Sequence, residues 1–315
     1  MYRSHPVLND RAKFPTPSIR KVYTVLANEL VQHNPGCSFY AYSRFGKTSA
    51  IRVLNAMLAQ TFPKIPMLTI NAHRHLRFSE LTYTEELLEA CRHDTKAGKA
   101  LTRRSRFIKY LWSLAHERQS DRIVLFIDEA QNWSESELTY LRDISNDLDL
   151  EFNIALFSVF FGQPEMEGLR NSLLQSNRQD LVGRFMLKQY QFPGIMSLNE
   201  LTYVMRCYDD PAISEYPEGS GISYTESLLT AAYGSGFRLA GQSGYLWKAF
   251  REAAGTFKID QIGMRWVSAS IRNFLYDHLA KDEPDFRPIA DAWTSAVNTS
   301  GFADSLGVTY YPNNR

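Results

Sequence analysis

The stretch that decides the fold is CSFYAYSRFGKT, which occupies residues 37–48. Its first five residues read as a short strand, and the apolar residues beyond it, Ile51, Leu54 and Leu58, recur at helical spacing. A loop between a strand and a helix N-terminus can surround an anion with backbone N–H groups. The sequence therefore predicts a phosphate-binding loop, although the Gly-Lys-Thr triplet at residues 46–48 could also stand at a helix start by chance.

The loop follows the pattern G-x-x-x-x-G-K-[ST], with Ala41 in place of the first glycine. Gly46 permits close backbone approach, Lys47 can reach the β- and γ-phosphates, and the Thr48 hydroxyl can ligate Mg²⁺. We therefore predict ATP and Mg²⁺ as cofactors. The nucleotide-binding residues of the loop are predicted to be Ala41, Ser43, Arg44, Phe45, Gly46, Lys47, Thr48 and Ser49.

An acidic pair follows the apolar run IVLFI at residues 123–127. Such a run is typical of a parallel strand that is buried on both faces. Asp128 is predicted to bind Mg²⁺ together with Thr48, and Glu129 to polarise the attacking water as general base. Alone, the pair could be a solvated acidic turn. Because it lies downstream of the phosphate loop at a normal interval, the two motifs together predict an ATPase.

A polar residue follows the next predicted strand, residues 153–161. Gln163, in the turn Gly-Gln-Pro-Glu, is predicted to lie beside the acidic pair and to sense the γ-phosphate or orient the water. Ser158 is a weaker candidate, because its position suggests the strand interior. The alternative is that Gln163 belongs to a plain turn.

Three arginines are candidates for contact with phosphate. Arg184 is the first choice, and Arg178 the second, for an arginine that reaches the nucleotide of a neighbouring subunit and makes hydrolysis depend on assembly. Arg238 opens a predicted lid helix after Gly-Ser-Gly and could contact phosphate within its own chain. Each of the three could instead be an ordinary surface arginine.

A basic cluster lies between the second predicted strand and the acidic strand. Lysine and arginine side chains that neutralise phosphates give affinity for DNA of any sequence, so the cluster is a candidate DNA-binding surface. We expect Arg103 and Arg106 to point outward from their helix, whereas the alternative is a solvated basic face. The predicted DNA-binding residues are Lys96, Lys99, Arg103 and Arg104, with Arg106 and Lys109 in the same cluster.

Strands alternate with helices as far as about residue 192, and helices alone follow. This order predicts an α/β fold, with a parallel β-sheet core flanked by helices and a small C-terminal helical lid. Capping boxes, Ser134 with Glu137 and Ser197 with Glu200, mark two helix starts. The predicted division is an N-terminal arm at residues 1–17, a core at 18–194, a lid at 195–280 and a tail at 281–315.

The composition is that of an ordinary soluble protein, with 44% hydrophobic and 22% charged residues and a net charge of +1. So small a net charge means that any DNA binding must rest on a local patch. No apolar run is long enough to span a membrane, and the first residues do not form a secretory signal. The three cysteines and the pair His73 and His75 lack metal-ligand partners, so we predict no further metal site and a bacterial cytoplasmic protein.

Taken in order, these motifs resemble those of the AAA+ ATPase regulators of DNA transposition, the TnsC/TniB group. The resemblance rests on the phosphate loop, the strand end Phe-Ile-Asp-Glu-Ala-Gln at residues 126–131, the Gly-Gln-Pro-Glu turn, the Arg-Phe pair at 184–185 and the helical lid. It covers roughly residues 10–280, and the length is similar to the shorter regulators of CRISPR-associated transposons. The acidic strand end and the turn also resemble those of ExeA-type secretion ATPases.

The resemblance implies a homo-oligomer, a ring or filament that ATP-bound subunits form around double-stranded DNA. It implies two protein partners. One is a TniQ/TnsD-like target selector, for which a CRISPR effector complex is among the candidates, and the other is a TnsA/TnsB-like transposase. Hydrolysis would release the assembly, and Ala41 would make hydrolysis slow. The open alternatives are an ExeA-like secretion ATPase, a replication loader or initiator, a nucleotide-binding scaffold without hydrolysis, and a small-molecule kinase.

Overall fold

The computed structural model describes residues 4–93 and 99–309 of the chain. These residues divide into two units. Residues 21–42 and 47–192 form the first, which we call the core unit. Residues 4–20, 43–46 and 193–309 form the second, the helical unit. The division passes through the loop that the sequence predicts to bind phosphate, because its residues 43–46 belong to the helical unit and Lys47 begins a helix of the core unit.

A five-stranded parallel sheet forms the centre of the core unit, in the order β2-β3-β4-β1-β5. The strands are β1 (Gly36–Tyr40), β2 (Met67–Asn71), β3 (Arg122–Asp128), β4 (Ala155–Gly162) and β5 (Gln189–Gln191). Every residue of β3 is buried, as the uninterrupted apolar run predicts for a central parallel strand. Because the strands are parallel, all their carboxyl ends lie at one edge of the sheet.

Helices flank this sheet and bury the apolar faces that the sequence periodicity predicts. The helices are α1 (Pro17–Val31), α2 (Lys47–Thr61), α3 (Glu80–Ala90), α4 (Ala100–Glu117), α5 (Glu135–Phe152), α6 (Glu165–Gln175) and α7 (Gln179–Leu181). A π-helical stretch, Val182–Met186, directly follows α7. Phe107 of α4 and Leu141 of α5 are completely buried in one cluster with Ile127 of β3. The capping box of Ser134 and Glu137 is present at the start of α5 and confirms that helix start.

The helical unit contains seven α-helices among its described residues. They are α8 (Leu198–Asp209), α9 (Tyr224–Leu228), α10 (Thr230–Gly234), α11 (Ser243–Ala254), α12 (Met264–His278), α13 (Ala290–Thr299) and α14 (Phe302–Thr309). Their core is aromatic. The rings of Phe274 and Trp293 stack with centroids 3.9 Å apart, and Phe302 lies edge-on to Phe250 at 4.9 Å.

Residues of the predicted arm and tail bury aromatic side chains in the helical unit. Phe14, in the predicted arm, is buried and lies 4.6 Å from the ring of Tyr208. In the predicted tail, α13 and α14 belong to the helical unit and bury Trp293 and Phe302 completely. Pro284 and Pro288 lie in the connection before α13, where they interrupt no helix. Across the residues that the structure describes, no helix combines the length and the apolar character needed to cross a membrane.

Candidate active site

The predicted site residues that follow the strands of the core unit meet at the carboxyl edge of the sheet. Strands β3, β4 and β1 are neighbours there, so Asp128, Gln163 and Ala41, at or just beyond their ends, come together. The Ala41 N–H donates to the Gly162 carbonyl over 3.0 Å and extends the pairing of β1 with β4. The parallel order of the strands is therefore what assembles the site.

Lys47 is the first residue of α2 and is only 4% exposed. Its Nζ donates to the carbonyl oxygens of Ala41, at 3.1 Å, and Tyr42, at 3.2 Å. Burial lowers the pKa of Lys47, whereas the carboxylates of Glu129, Asp128 and Glu165 act in the opposite direction. The ammonium group is thus desolvated, surrounded by acceptors and close to the acidic side chains of the site.

Thr48 and Asp128 form a direct contact. The Thr48 hydroxyl donates to Asp128 Oδ2 over 2.6 Å, and the backbone N–H of Glu129 donates to Asp128 Oδ1 over 3.0 Å. Burial raises the pKa of Asp128, and these two hydrogen bonds oppose the increase. A hydroxyl and a carboxylate are hard oxygen ligands of the kind Mg²⁺ takes, so the donor set fits the predicted metal.

Glu129 has a left-handed backbone conformation, with φ 53° and ψ 37°. A residue other than glycine rarely adopts this conformation, and its cost is of order 1–3 kcal/mol. The Gln163 side-chain amide donates to Glu129 Oε2 over 3.4 Å. Oε1 of Glu129 has no hydrogen-bond partner among residues 4–93 and 99–309, so this oxygen is free to accept a proton.

The turn after β4 brings Gln163 to the acidic pair. A Cβ on Gly162 would lie 2.1 Å from the sulfur of Met166, so a larger residue here would displace the Met166 side chain. Ser158, the weaker candidate, lies in the interior of β4, and its hydroxyl is buried without a hydrogen-bond partner among the described residues. The structure therefore brings Gln163 to Glu129 and leaves Ser158 inside the sheet.

Gln131 is a residue of the site to which the sequence analysis assigned no role. Its side-chain Nε2 donates to Glu129 Oε2 over 2.7 Å, and its Oε1 accepts the Gln163 N–H over 3.0 Å. In the sequence, Gln131 appears only as the last residue of the strand-end motif at 126–131, two residues after Glu129. Nothing in residue spacing indicates that a short 3-10 turn, Ala130–Asn132, directs this side chain back to the acidic pair.

The loop residues 43–46 have their contacts within the helical unit. Arg44, with φ 68°, and Gly46, with φ 94°, both have left-handed backbones, and Phe45 is buried. The Arg265 N–H, in the first turn of α12, donates to the Arg44 carbonyl over 3.3 Å. A Cβ on Gly46 would lie 3.6 Å from Cβ of Met264, so the start of α12 lies against this part of the loop.

Arg265 is therefore a second residue without a predicted role. Its side chain is 54% exposed, and its guanidinium lies 3.7 Å from a carboxylate oxygen of Asp10. The other carboxylate oxygen of Asp10 pairs with Arg272 at 3.1 Å.

Arg238, the arginine predicted to contact phosphate from the same chain, donates to the carbonyls of Tyr233 and Phe237. Its guanidinium also lies 3.5 Å from the Tyr233 ring centroid. The contacts described for Arg238 are thus local, whereas Arg265 touches the loop through its own backbone.

Arg184 lies at the opposite edge of the sheet from Glu129. Its Nη1 donates to Ser145 Oγ over 2.9 Å, and it lines a cavity of about 150 Å³ with Arg122, the first residue of β3. Burial and the charge of Arg142 lower the pKa of Arg184. At about 3.3 Å per residue, the length of β3 separates the two edges by about 20 Å. Arg184 therefore does not reach Glu129 of its own chain.

Arg178 is held by acidic side chains. It forms an ion pair with Glu135, a second with Asp180 at 3.1 Å, and a hydrogen bond to Thr139 at 3.0 Å. The hydrogen bonds to the two carboxylates raise the pKa of Arg178, although burial opposes them. Arg184, with a single hydrogen bond to an uncharged hydroxyl in the described contacts, has the less neutralised charge of the two.

The basic cluster differs from its prediction. Arg103 does not point outward, because it is only 7% exposed and pairs with Glu85. Four-residue spacing puts it on the same face as Phe107 and Leu111, which are buried, and this explains the correction. Arg104 pairs with Asp147 and lies over the Tyr140 ring.

The remaining basic side chains of the cluster are more accessible. Lys99 and Lys109 are exposed, and Arg106 is half-buried. Lys96 lies outside the described residues.

Comparison with known proteins identifies the fold. Residues 32–169 match the family model described as AAA domain. The chain is similar to the Aeropyrum pernix ORC2 protein (ADPNP-ADP complexes), with a TM-score of 0.62, 10% identity, and coverage of 95% of this chain and 72% of that one. It is also similar to the Aeropyrum pernix ORC1 protein in complex with DNA, with a TM-score of 0.53, 13% identity, and coverage of 94% and 69%. No curated protein sequence matches the chain.

These similarities, together with the parallel sheet and its flanking helices, confirm the predicted fold class. At such low identity they establish the fold alone, so the transposition branch stays a prediction. The chain has the fold of the AAA+ P-loop proteins.

Proposed function

We propose that the protein is a DNA-associated AAA+ ATPase switch of the transposition-regulator type. The observation that supports it most is the meeting of Lys47, the Thr48–Asp128 pair, Glu129 and Gln163 at one edge of the sheet. ATP-bound subunits assemble as a ring or filament on double-stranded DNA. The assembly links a target-selecting protein to a transposase, and hydrolysis takes it apart.

The side chains of the site have distinct roles in this proposal. Lys47 would exchange its two carbonyl acceptors for phosphate oxygens, and Thr48 and Asp128 would hold Mg²⁺, whose charge would offset that of the phosphates. Glu129 accepts the proton of the attacking water at Oε1, since Oε2 is already occupied by amide donors. Gln163 orients that water and contacts the γ-phosphate.

Hydrolysis depends on assembly because the arginine comes from a second subunit. Arg184 is the first candidate, since it lies at the edge of the sheet opposite Glu129 and pairs with no carboxylate in the contacts described. Arg178 is the second candidate, since its charge is neutralised by Glu135 and Asp180. Within the helical unit, Arg265 joins Arg238 as a candidate for contact with phosphate, because it adjoins the loop residue Arg44.

DNA binding rests on the accessible members of the basic cluster. Lys99 and Lys109 are exposed, and Arg104 and Arg106 are half-buried, so these four remain the candidates in α4 and at its start. Arg103 is removed from the set, because its charge is buried against Glu85. The Aeropyrum pernix ORC1 structure is a complex with DNA, which supports a DNA partner for this fold.

A replication loader or initiator is the second candidate function. The similarity to the two ORC proteins over at least 94% of the chain favours it. It differs from the main proposal in its partner, which would be a replicative helicase instead of a transposase and its target selector. Purified protein on DNA, tested for binding to each partner in turn, separates the two functions.

The ATPase itself is tested with two substitutions. Lys47→Ala removes the charge that faces the phosphates and should abolish ATP binding. Glu129→Gln should leave the Kd for ATP unchanged and lower kcat by roughly 100-fold or more, since it removes the base alone. A fluorescent nucleotide measures Kd and phosphate release measures kcat. Normal turnover by Glu129→Gln would show that the assignment of the base is wrong.

A further inference from the structure

Gln131 connects the two residues of the proposed hydrolytic apparatus through the two ends of a single amide group. Its Nε2 donates to Glu129 Oε2 at 2.7 Å, and its Oε1 accepts the backbone N–H of Gln163 at 3.0 Å. Glu129 is at the end of β3 and Gln163 at the end of β4, so the amide bridges two neighbouring strands. Both the donor and the acceptor of the side chain are used within the site.

The backbone conformation around Glu129 and Gly162 allows the Gln131 amide to reach both residues. Glu129 is in the left-handed conformation, and the 3-10 turn Ala130–Asn132 then brings Gln131 back beside it. On the other side, a Cβ on Gly162 would lie 3.0 Å from Gln131 Oε1, closer than an ordinary contact. The missing side chain at Gly162 thus lets the amide approach the turn that carries Gln163.

We propose that Gln131 is a positioning residue for ATP hydrolysis, which fixes Glu129 Oε2 so that Oε1 faces the attacking water. The inference rests on the proposed ATPase function. Without the 2.7 Å hydrogen bond, only the longer contact to Gln163, at 3.4 Å, would restrain the Glu129 carboxylate among the described contacts. Gln131 also holds the backbone of Gln163, so it fixes the position of the Gln163 side-chain amide relative to the Glu129 carboxylate.

Three substitutions separate the two ends of the amide. Gln131→Glu keeps the length and the acceptor for the Gln163 N–H but cannot donate to Glu129 when ionised. Gln131→Met has a similar length and removes both hydrogen bonds. Gln131→His retains one donor and one acceptor and serves as the rescue variant. Gln175→Glu, at the exposed end of α6, makes the same chemical change away from the site and is the matched control.

We expect Gln131→Glu and Gln131→Met to lower kcat on the order of 10- to 100-fold, because a displaced base loses its alignment with the water. The Kd for a fluorescent ATP analogue should remain within about threefold of wild type, since Gln131 touches none of the phosphate-binding side chains in the described contacts. Gln131→His should recover part of the turnover, and Gln175→Glu should behave as wild type.

A second readout needs no nucleotide. In protein with ¹³C-labelled glutamate, the side-chain carboxyl resonance of Glu129, assigned by its loss in Glu129→Gln, should shift in Gln131→Met and stay in place in Gln175→Glu. If wild type hydrolyses ATP while Gln131→Glu and Gln131→Met retain full kcat, or if the resonance does not move, Gln131 does not position Glu129. If wild type itself does not hydrolyse ATP, the proposed ATPase function is wrong, whatever the Gln131 variants do.

Discussion

At the scale of single residues, the carboxyl edge of the sheet concentrates features that cost stability. Glu129 has a left-handed backbone, Lys47 is buried with its pKa lowered, and burial raises the pKa of Asp128. Strained backbones and perturbed ionisable groups cluster at functional sites, where the surrounding structure must hold them. Their coincidence with the predicted phosphate-binding loop is why we propose that this edge is a catalytic site and not a solvated acidic turn.

His5 provides a prediction at the residue scale that is independent of ATP. The Val7 N–H donates to His5 Nδ1, so Nε2 carries the proton and donates to Ser227 Oγ over 2.9 Å. If His5 Nδ1 were also protonated, its N–H would point at the N–H of Val7 and this hydrogen bond would be lost. Burial of the ring lowers the pKa of His5 from 6.5 to about 4.

Because the unfolded chain takes up a proton at a higher pH than the folded protein, this contribution to stability is present above pH 6.5 and lost as the pH falls toward 4. At pH 5 the loss should be about 2 kcal/mol relative to a variant without the titrating group. Urea unfolding of wild type and His5→Gln at pH 7.5 and pH 5 measures the difference. An equal pH dependence in the two proteins would contradict the shifted pKa.

At the scale of elements, α4 separates into a structural and an accessible basic face. Arg103 is buried with Glu85, whereas Lys99 and Lys109 are exposed. We expect Lys99→Gln with Lys109→Gln to weaken DNA binding for all sequences and to reduce the salt slope, d log K/d log[salt], by up to about 2.

The control for this prediction is Arg103→Met. It should lower the stability of the fold by up to about 1 kcal/mol, because it removes an ion pair whose Glu85 carboxylate is partly exposed, and leave the salt slope unchanged. Fluorescence anisotropy with two unrelated duplexes, at several salt concentrations, gives both affinity and slope. Unchanged affinity and slope in the double lysine variant would exclude this face as the DNA surface.

The sequence alone predicted where the strands end, but it did not predict every residue of the candidate site. The strand ends at Tyr40, Asp128 and Gly162 were predictable to within one residue from apolar runs, and the parallel order then brings the polar residues beyond them together. The role of Gln131 was not predictable, since it depends on the backbone conformation of Glu129 and on the missing Cβ of Gly162.

The helical spacing of buried residues bears on two of the predictions. Arg103 is four and eight residues before Phe107 and Leu111, a spacing that already indicates the buried face. In the predicted tail, Trp293, Ala296 and Val297 are buried at helical spacing, which the sequence already contains. Arg265 was missed because its contact with the loop is made through its backbone N–H, which no side-chain pattern reveals.

At the scale of the whole molecule, the position of Arg184 predicts that subunits depend on one another. Arg184→Ala and Glu129→Gln should each lack hydrolysis when alone. Mixed in equal amounts, they should recover roughly a quarter of wild-type activity, because a subunit with an intact Glu129 then meets a neighbour with an intact Arg184. Phosphate release from the mixture on DNA measures this. No recovery, together with lost ATP binding in Arg184→Ala, would point to a role within one subunit.

The most direct test of the central proposal is electron microscopy of the protein on double-stranded DNA with ATP, with ADP and without nucleotide. We predict rings or filaments on DNA with ATP, their persistence in Glu129→Gln, and their absence with ADP, without nucleotide and in Lys47→Ala. Assemblies that form equally in all three nucleotide states, or no association with DNA in any of them, would contradict an ATP-dependent switch on DNA.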